Sequence, residues 1–152
     1  MNIVIPAAGR GRRFQEEGYK LPKPLILVDG IPMISRVIRS FPDNDDPHRR
    51  LVAVVQRGLP AIYGAQNVYV DHVTDGAARS VILGIHTAQL PLDEPLLIGN
   101  GDQLVEFDFK DFIAGASDSD GSLIVFPAPD KSRAWSYAEI NKENRVVRVA
   151  EK

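Results

Sequence analysis

The strongest constraint on the fold is a pair of apolar runs that do not alternate. Leu51-Val52-Ala53-Val54-Val55 places five apolar residues in a row, and Ile3-Val4-Ile5 is a shorter, β-branched version. A strand with one wet face alternates apolar and polar side chains. A continuous run of this length needs cover on both faces, as in a parallel sheet held between helices. Val68-Tyr69-Val70 and Leu96-Leu97-Ile98 add a third and a fourth strand. Helical patterns lie between them. Met33, Ile34, Val37, Ile38 and Phe41 predict a helix over 32–40 that opens at Pro32 and stops at Pro42. A second helix is expected from Ala77 to about Gln89, with Val81, Ile82, Ile85 and Ala88 as its apolar face. A third runs from Phe107 to Ala114.

Smaller signals complete the order. Residues 6–24 read as loop, Leu25–Val28 as a short extended piece, Asp29-Gly30 as a turn, and Leu59–Gly64 as one helical turn. Ser122–Phe126 reads as a fifth strand. Tyr137–Ile140 and Arg145–Val149 alternate around Asn141-Lys142-Glu143-Asn144, which predicts a hairpin. Strands alternate with helices over the first 126 residues, so the expected class is α/β. The architecture is a Rossmann-like three-layer sandwich, with a mainly parallel mixed sheet and a C-terminal antiparallel hairpin. At 152 residues the chain fits one domain, 1–152.

Composition excludes several function classes. The formal net charge of −2 leaves no global basic field for nucleic acid, so cations matter only where they cluster. With no cysteine there is no disulfide, thiolate metal site or cysteine nucleophile. No apolar run approaches the roughly 20 residues of a membrane span. Met1-Asn2 leads straight into the first strand, so no signal peptide is expected, and the cytoplasm is the default location. His48, His72 and His86 lack ligand spacing and read as surface or packing residues. Asp43-Asn44-Asp45-Asp46 reads as a solvated loop, and Trp135 and Tyr137 as wall or core.

The chemistry concentrates after the first strand. There the chain turns through Ala7-Ala8-Gly9-Arg10-Gly11 and then carries Arg10, Arg12, Arg13, Lys20 and Lys23. A strand feeding a small-residue loop with cations behind it presents backbone N–H groups and charge to phosphates. Two well-known phosphate loops fail. The dinucleotide fingerprint wants a third glycine where Phe14 stands, and the P-loop wants Gly-Lys-Ser/Thr where Gly18 is followed by Tyr19.

A third arrangement matches. AAGRGRRF followed by KLPKPL resembles the signature of the sugar-phosphate nucleotidyltransferases, the family that makes sugar nucleotides. Gly9, Gly11, Arg13 and Phe14 fall on its first part, and Pro22, Lys23 and Leu25 on its second, with the family's ten-residue spacing from Arg13 to Lys23. Thr74-Asp75-Gly76-Ala77-Ala78-Arg79-Ser80-Val81 resembles the loop and helix start that hold the nucleobase. Gly101-Asp102 resembles the magnesium-binding motif, and Val149-Ala150-Glu151-Lys152 the element facing the acceptor phosphate. Two positions depart from the pattern: Arg12 replaces a Ser/Thr, and Trp135-Ser136 replaces Tyr-Gly before the hairpin.

The resemblance implies an enzyme that transfers a nucleoside monophosphate from a nucleoside triphosphate to a sugar phosphate or similar acceptor, releasing pyrophosphate. It implies Arg13 and Lys23 as catalytic groups, and Ala7, Ala8, Gly9, Gly11, Arg12, Asp75, Gly76 and Ala77 around the nucleotide. It implies Asp102 on magnesium, and Glu151 and Lys152 on the acceptor. Family members carry at least another strand and helix, which leaves a partial chain, a minimal enzyme or a binding module without turnover as alternatives. A solvated basic loop, a turn aspartate and a frayed tail are the plain readings of the same residues. The oligomeric state stays open, a homo-oligomer included.

Overall fold

A computed structural model describes residues 1–41, 48–130 and 135–150. In chain order it contains β1 (Asn2–Pro6), α1 (Arg12–Glu16), a 3₁₀ turn (Lys23–Leu25), β2 (Leu27–Val28), β3 (Ile31–Pro32), α2 (Met33–Ser40), β4 (Arg50–Gln56) and β5 (Gln66–Val70). Then follow α3 (Ala77–Ala88), β6 (Leu96–Ile98), α4 (Phe109–Ala116), β7 (Tyr137–Ile140) and β8 (Val146–Ala150). The chain forms two compact units, Met1–Lys110 and Asp111–Lys152.

The first unit is built on a parallel sheet with the order β5-β4-β1-β6. Ile3 lies opposite Leu51 and Leu97, and Val4 opposite Val52 and Ile98. Strand alternation divides the apolar runs between two cores. Ile3, Ile5, Leu51, Ala53 and Val55 meet Ile34, Val37 and Ile38 of α2 on one face. Val4, Val52, Val54 and Val68 meet Val81 of α3 and Leu90 on the other. Ile3–Ile5 and Val52–Val55 are therefore fully buried, as their unbroken apolar character requires. Burial of each such Ile or Val side chain stabilises by about 1.5–3 kcal/mol.

This order positions the site. The chain builds outward from β1 to β4 and β5, then returns across the sheet to place β6 on the other side of β1. The strand order reverses between β1 and β6, and the loops leaving their carboxyl ends flank this point. Open α/β sheets bind ligands at such a switch point.

Several local expectations change. Residues 6–24 are not all loop, because Arg12–Glu16 forms a short helix entered through left-handed Gly11, at φ 63°. Leu25–Val28 resolves into part of the 3₁₀ turn and one arm of a tight hairpin. Asp29 and Gly30, both at positive φ, make its two-residue turn, the geometry that matches strand twist. Leu59–Gly64 makes turns without a helix. On α3 the inward residues are Ser80, Val81 and Gly84, whereas Ile82 is exposed. Gly84 explains the close seat of this helix: a Cβ there would lie 2.8 Å from Val54 Cγ2 and 3.1 Å from Val4 Cγ1.

Ser122–Phe126 is not a strand. Leu123, Ile124, Val125 and Phe126 are exposed, because an apolar run becomes a strand only when a neighbour pairs its backbone and covers its faces. The terminal hairpin forms as expected, as a two-stranded sheet of its own. Asn141 closes it, its Oδ1 accepting the Glu143 and Arg145 N–H groups at 3.0 and 2.9 Å. Glu151 and Lys152, and the Asp43–Asp46 run, lie outside the described residues. Among the described residues no helix is long and apolar enough to cross a membrane.

Candidate functional site

Three loops at the carboxyl edge of the sheet carry the residues singled out by motif. The loop after β1 is anchored to β4 at its start. Ala7 N–H continues the ladder to the Val54 carbonyl at 2.8 Å, and Gln56 Nε2, at the end of β4, donates to the Ala8 carbonyl at 2.9 Å. Ala8 is fully buried against the α3 core. Gly9 and Arg10 then emerge into solvent.

Gly11 is the hinge of this loop. Its left-handed backbone starts α1, and a Cβ at this position would sit 2.8 Å from Lys23 Cβ. Lys23 in turn is held on a 3₁₀ turn flanked by Pro22 and buried Pro24, whose rings fix the backbone. Its Nζ lies 5.6 Å from the centroid of the Phe14 ring, and Phe14 packs edge-on against Tyr19. The prolines thus set the lysine's backbone, Gly11 lies against its Cβ, and the Phe14 ring lies beside its ammonium.

The loop after β6 supplies the opposite charge. Gly99 N–H reaches the Val4 carbonyl at 3.1 Å. Asn100 Nδ2 bridges to Gln103 Oε1 at 2.8 Å and closes the turn. Gly101 packs on the end of β1, where a Cβ would stand 3.3 Å from Ile5 Cγ2. The next residue, Asp102, pairs its Oδ2 with Lys23 Nζ at 2.5 Å. Two residues 79 positions apart in sequence therefore meet across the switch point. Both side chains are about one-third exposed, 31% for Lys23 and 35% for Asp102, so each is accessible to a ligand.

The remaining motif residues are placed less tightly. Arg13 is exposed on α1. Arg12 pairs with Glu16 at 2.8 Å one helical turn away, an exposed contact of small energy. Asp75, Gly76 and Ala77 are exposed at the start of α3, beyond β5 on the same edge of the sheet. Thr74 does not cap that helix. Its hydroxyl instead meets the buried Ser80 hydroxyl at 2.6 Å and tethers the loop to the helix.

Sequence reading missed Gln56, and placed Ser80 in the nucleobase stretch without a role of its own. Both are polar residues at otherwise apolar positions, one ending a strand and one on the inner face of a helix, and that mismatch is the signal that marks them. In the second unit, Trp135 Nε1 and Tyr137 Oη donate to Asp130, at 3.2 and 3.1 Å, and Trp135 is exposed rather than part of a core. A cavity of about 530 Å³ opens at the amino edge of the sheet, lined by Met1, His48, Arg50, Glu94 and Pro95. It contains none of the motif residues.

Asp102 suits a magnesium ion in donor type. It offers a hard carboxylate oxygen from an accessible turn, and magnesium keeps most of its waters while sharing phosphate oxygens of a substrate. Among the described residues no group of three or more His, Cys, Asp or Glu forms a cage, and magnesium held in this way needs none.

Over residues 3–143 the chain matches the family described as the MobA-like NTP transferase domain. It is 25% identical over 113 residues to the bifunctional protein GlmU of Methanocaldococcus jannaschii, covering 74% of this chain and 28% of that protein. Against the bifunctional protein GlmU of Methanococcus maripaludis it is 22% identical over 152 residues, covering all of this chain and 36% of that one. The chain thus spans roughly a third of the length of these curated relatives. Among solved structures, it shares the fold of the nucleoside-diphosphate-sugar pyrophosphorylase of Vibrio cholerae, with a TM-score of 0.70 at 23% identity, over 99% of this chain and 66% of that one. HddC of Yersinia pseudotuberculosis, complexed with GMP-PN, gives a TM-score of 0.69 at 20% identity, over 99% and 69%. With the family match running through both units of the fold, the chain belongs to the MobA-like NTP transferase family.

Proposed function

We propose that this protein transfers a nucleoside monophosphate from a nucleoside triphosphate to a phosphorylated small molecule, with a sugar phosphate as the first choice of acceptor. The observation that carries the reading is the meeting of Lys23 and Asp102 beside the Gly11 hinge, at the switch point of the sheet. The names of similar proteins support the acceptor class: a nucleoside-diphosphate-sugar pyrophosphorylase and an inositol-1-phosphate CTP transferase both share the fold. A reaction that consumes nucleoside triphosphate also fits a cytoplasmic protein.

The reaction needs positioning and charge more than covalent chemistry. An acceptor phosphate oxygen bonds to the α-phosphorus, the bond from that phosphorus to the β-bridging oxygen breaks, and pyrophosphate leaves. The exposed backbone around Gly9 lies open to phosphate. Arg13 receives the departing β- and γ-phosphates, and Lys23 balances the charge that grows at the α-phosphate. Asp75, Gly76 and Ala77 border the base, and Glu151 and Lys152 orient the acceptor. Asp102 would hold magnesium, which when bound would supply charge neutralisation of the phosphates. Removal of one such preorganised charge costs about 2–4 kcal/mol of transition-state stabilisation.

The test has two stages. A thermal-shift screen of the nucleoside triphosphates with magnesium finds the nucleotide, because a ligand that binds the folded state raises the melting point, more so the tighter it binds at a given concentration. A pyrophosphate-release assay with that nucleotide and a panel of sugar phosphates then finds the acceptor. Nucleotide binding with no turnover across the panel favours a binding module of the same fold. No stabilisation by any triphosphate removes the proposal.

A further inference from the structure

The Lys23–Asp102 pair gives each group the partner that a substrate complex would replace. The ammonium occupies Asp102 Oδ2 at 2.5 Å, on the carboxylate assigned to a divalent cation. The carboxylate occupies the ammonium assigned to phosphate. Lys23 is placed by its surroundings: Pro22 and Pro24 set the turn that carries it, Gly11 lies against its Cβ, and its Nζ lies over the Phe14 ring. Its Nζ therefore does not drift away when unpaired; it exchanges one anion for another.

We propose that this ion pair is a latch that couples nucleotide binding to cation binding at the site. The inference rests on the nucleotide reading above and concerns its regulation. Without the cation, a triphosphate must compete with Asp102 for Lys23 and meets an uncompensated carboxylate. Without the triphosphate, a cation must displace an ammonium from Asp102. When both arrive together the latch opens once, and each ligand spares the other the cost of opening it. Such a shared cost is positive coupling, and it is reciprocal. The arrangement also keeps the empty site electrically closed, so that either ligand arriving alone meets the whole cost of opening it.

The latch makes an unusual prediction: removing the carboxylate improves binding of a metal-free phosphate ligand. Inorganic tripolyphosphate is the probe, since it carries the triphosphate without a base. Its affinity is measured by isothermal titration calorimetry in EDTA and again with magnesium. In EDTA, Asp102→Ala tightens binding about threefold to fivefold, the size of a partly exposed ion pair. The same substitution made in Lys23→Met protein produces no such gain, because no ammonium remains to be released. Magnesium strengthens binding in the wild type and much less in Asp102→Ala.

Unchanged or weaker metal-free binding in Asp102→Ala overturns the latch while leaving the nucleotide reading in place. An equal gain in the Lys23→Met background shows a general field effect of one lost charge, and also overturns it. Wild-type protein that fails to bind tripolyphosphate even with magnesium overturns the latch, whereas the nucleotide reading falls only if no nucleoside triphosphate stabilises the protein. If Asp102→Ala melts early, Asp102→Asn carries the same test with a smaller expected gain.

Discussion

Two glycines of one loop separate a folding requirement from a binding requirement. Gly11 stands at φ 63°, and an added Cβ would fall 2.8 Å from Lys23 Cβ. The left-handed backbone costs a non-glycine residue about 1–2 kcal/mol. The contact adds an overpacking cost of about 1–3 kcal/mol, since the proline-flanked turn beneath it yields little. Gly11→Ala is therefore expected to lose about 3 kcal/mol, a fall in melting temperature of about 6–12 °C for a chain of this size. Gly9 has nothing within 4 Å of its ideal Cβ. Gly9→Ala is expected to melt within about 0.5 kcal/mol of wild type, yet to lose the stabilisation that magnesium and nucleoside triphosphate confer. Differential scanning fluorimetry of both variants, with and without ligand, reads all four values. Wild-type melting of Gly11→Ala would refute the hinge argument. Full ligand stabilisation of Gly9→Ala would refute close approach of phosphate at that glycine.

Three further substitutions probe other parts of the account. Gly84→Ala presses a methyl into Val54 and Val4 and should cost about 1–3 kcal/mol in urea denaturation; an unchanged midpoint would contradict the close seat of α3. Thr74→Val leaves the buried Ser80 hydroxyl without its 2.6 Å partner and should cost about 1–3 kcal/mol, read by the same denaturation. Arg13→Ala should lower kcat/KM for pyrophosphate release by about 2–4 kcal/mol of transition-state stabilisation with little change in melting. Arg12→Ala should do less, since Arg12 is engaged with Glu16, and equal losses would count against the separate roles given to the two arginines.

What was legible in the sequence follows from which interactions are local. The unbroken runs Ile3–Ile5 and Leu51–Val55 announced burial on both faces, and the two cores flanking the sheet are that statement made in three dimensions. Lys23 and Asp102 were each readable from motif spacing. Their contact was not, because it depends on β6 returning beside β1. The α1 helix carries no apolar periodicity, and its start rests on the left-handed backbone of Gly11. The arms of the Asp29-Gly30 hairpin are two residues each, below the length at which alternation can be seen. Ser122–Phe126 shows the opposite failure: a strong local strand signal without a pairing partner among the described residues. Gln56 escaped because its partner, the Ala8 carbonyl, lies 48 positions away.

The central claim is that nucleotide binds at the carboxyl edge of the sheet, between the loops that follow β1 and β6. Backbone amide shifts in an NMR titration with magnesium and the best-stabilising nucleoside triphosphate test it directly. The account predicts that the largest changes fall on residues 7–11, on Lys23, on 75–77 and on 101–102. Changes confined to Met1, His48, Arg50 and Glu94, around the cavity at the amino edge, would contradict it.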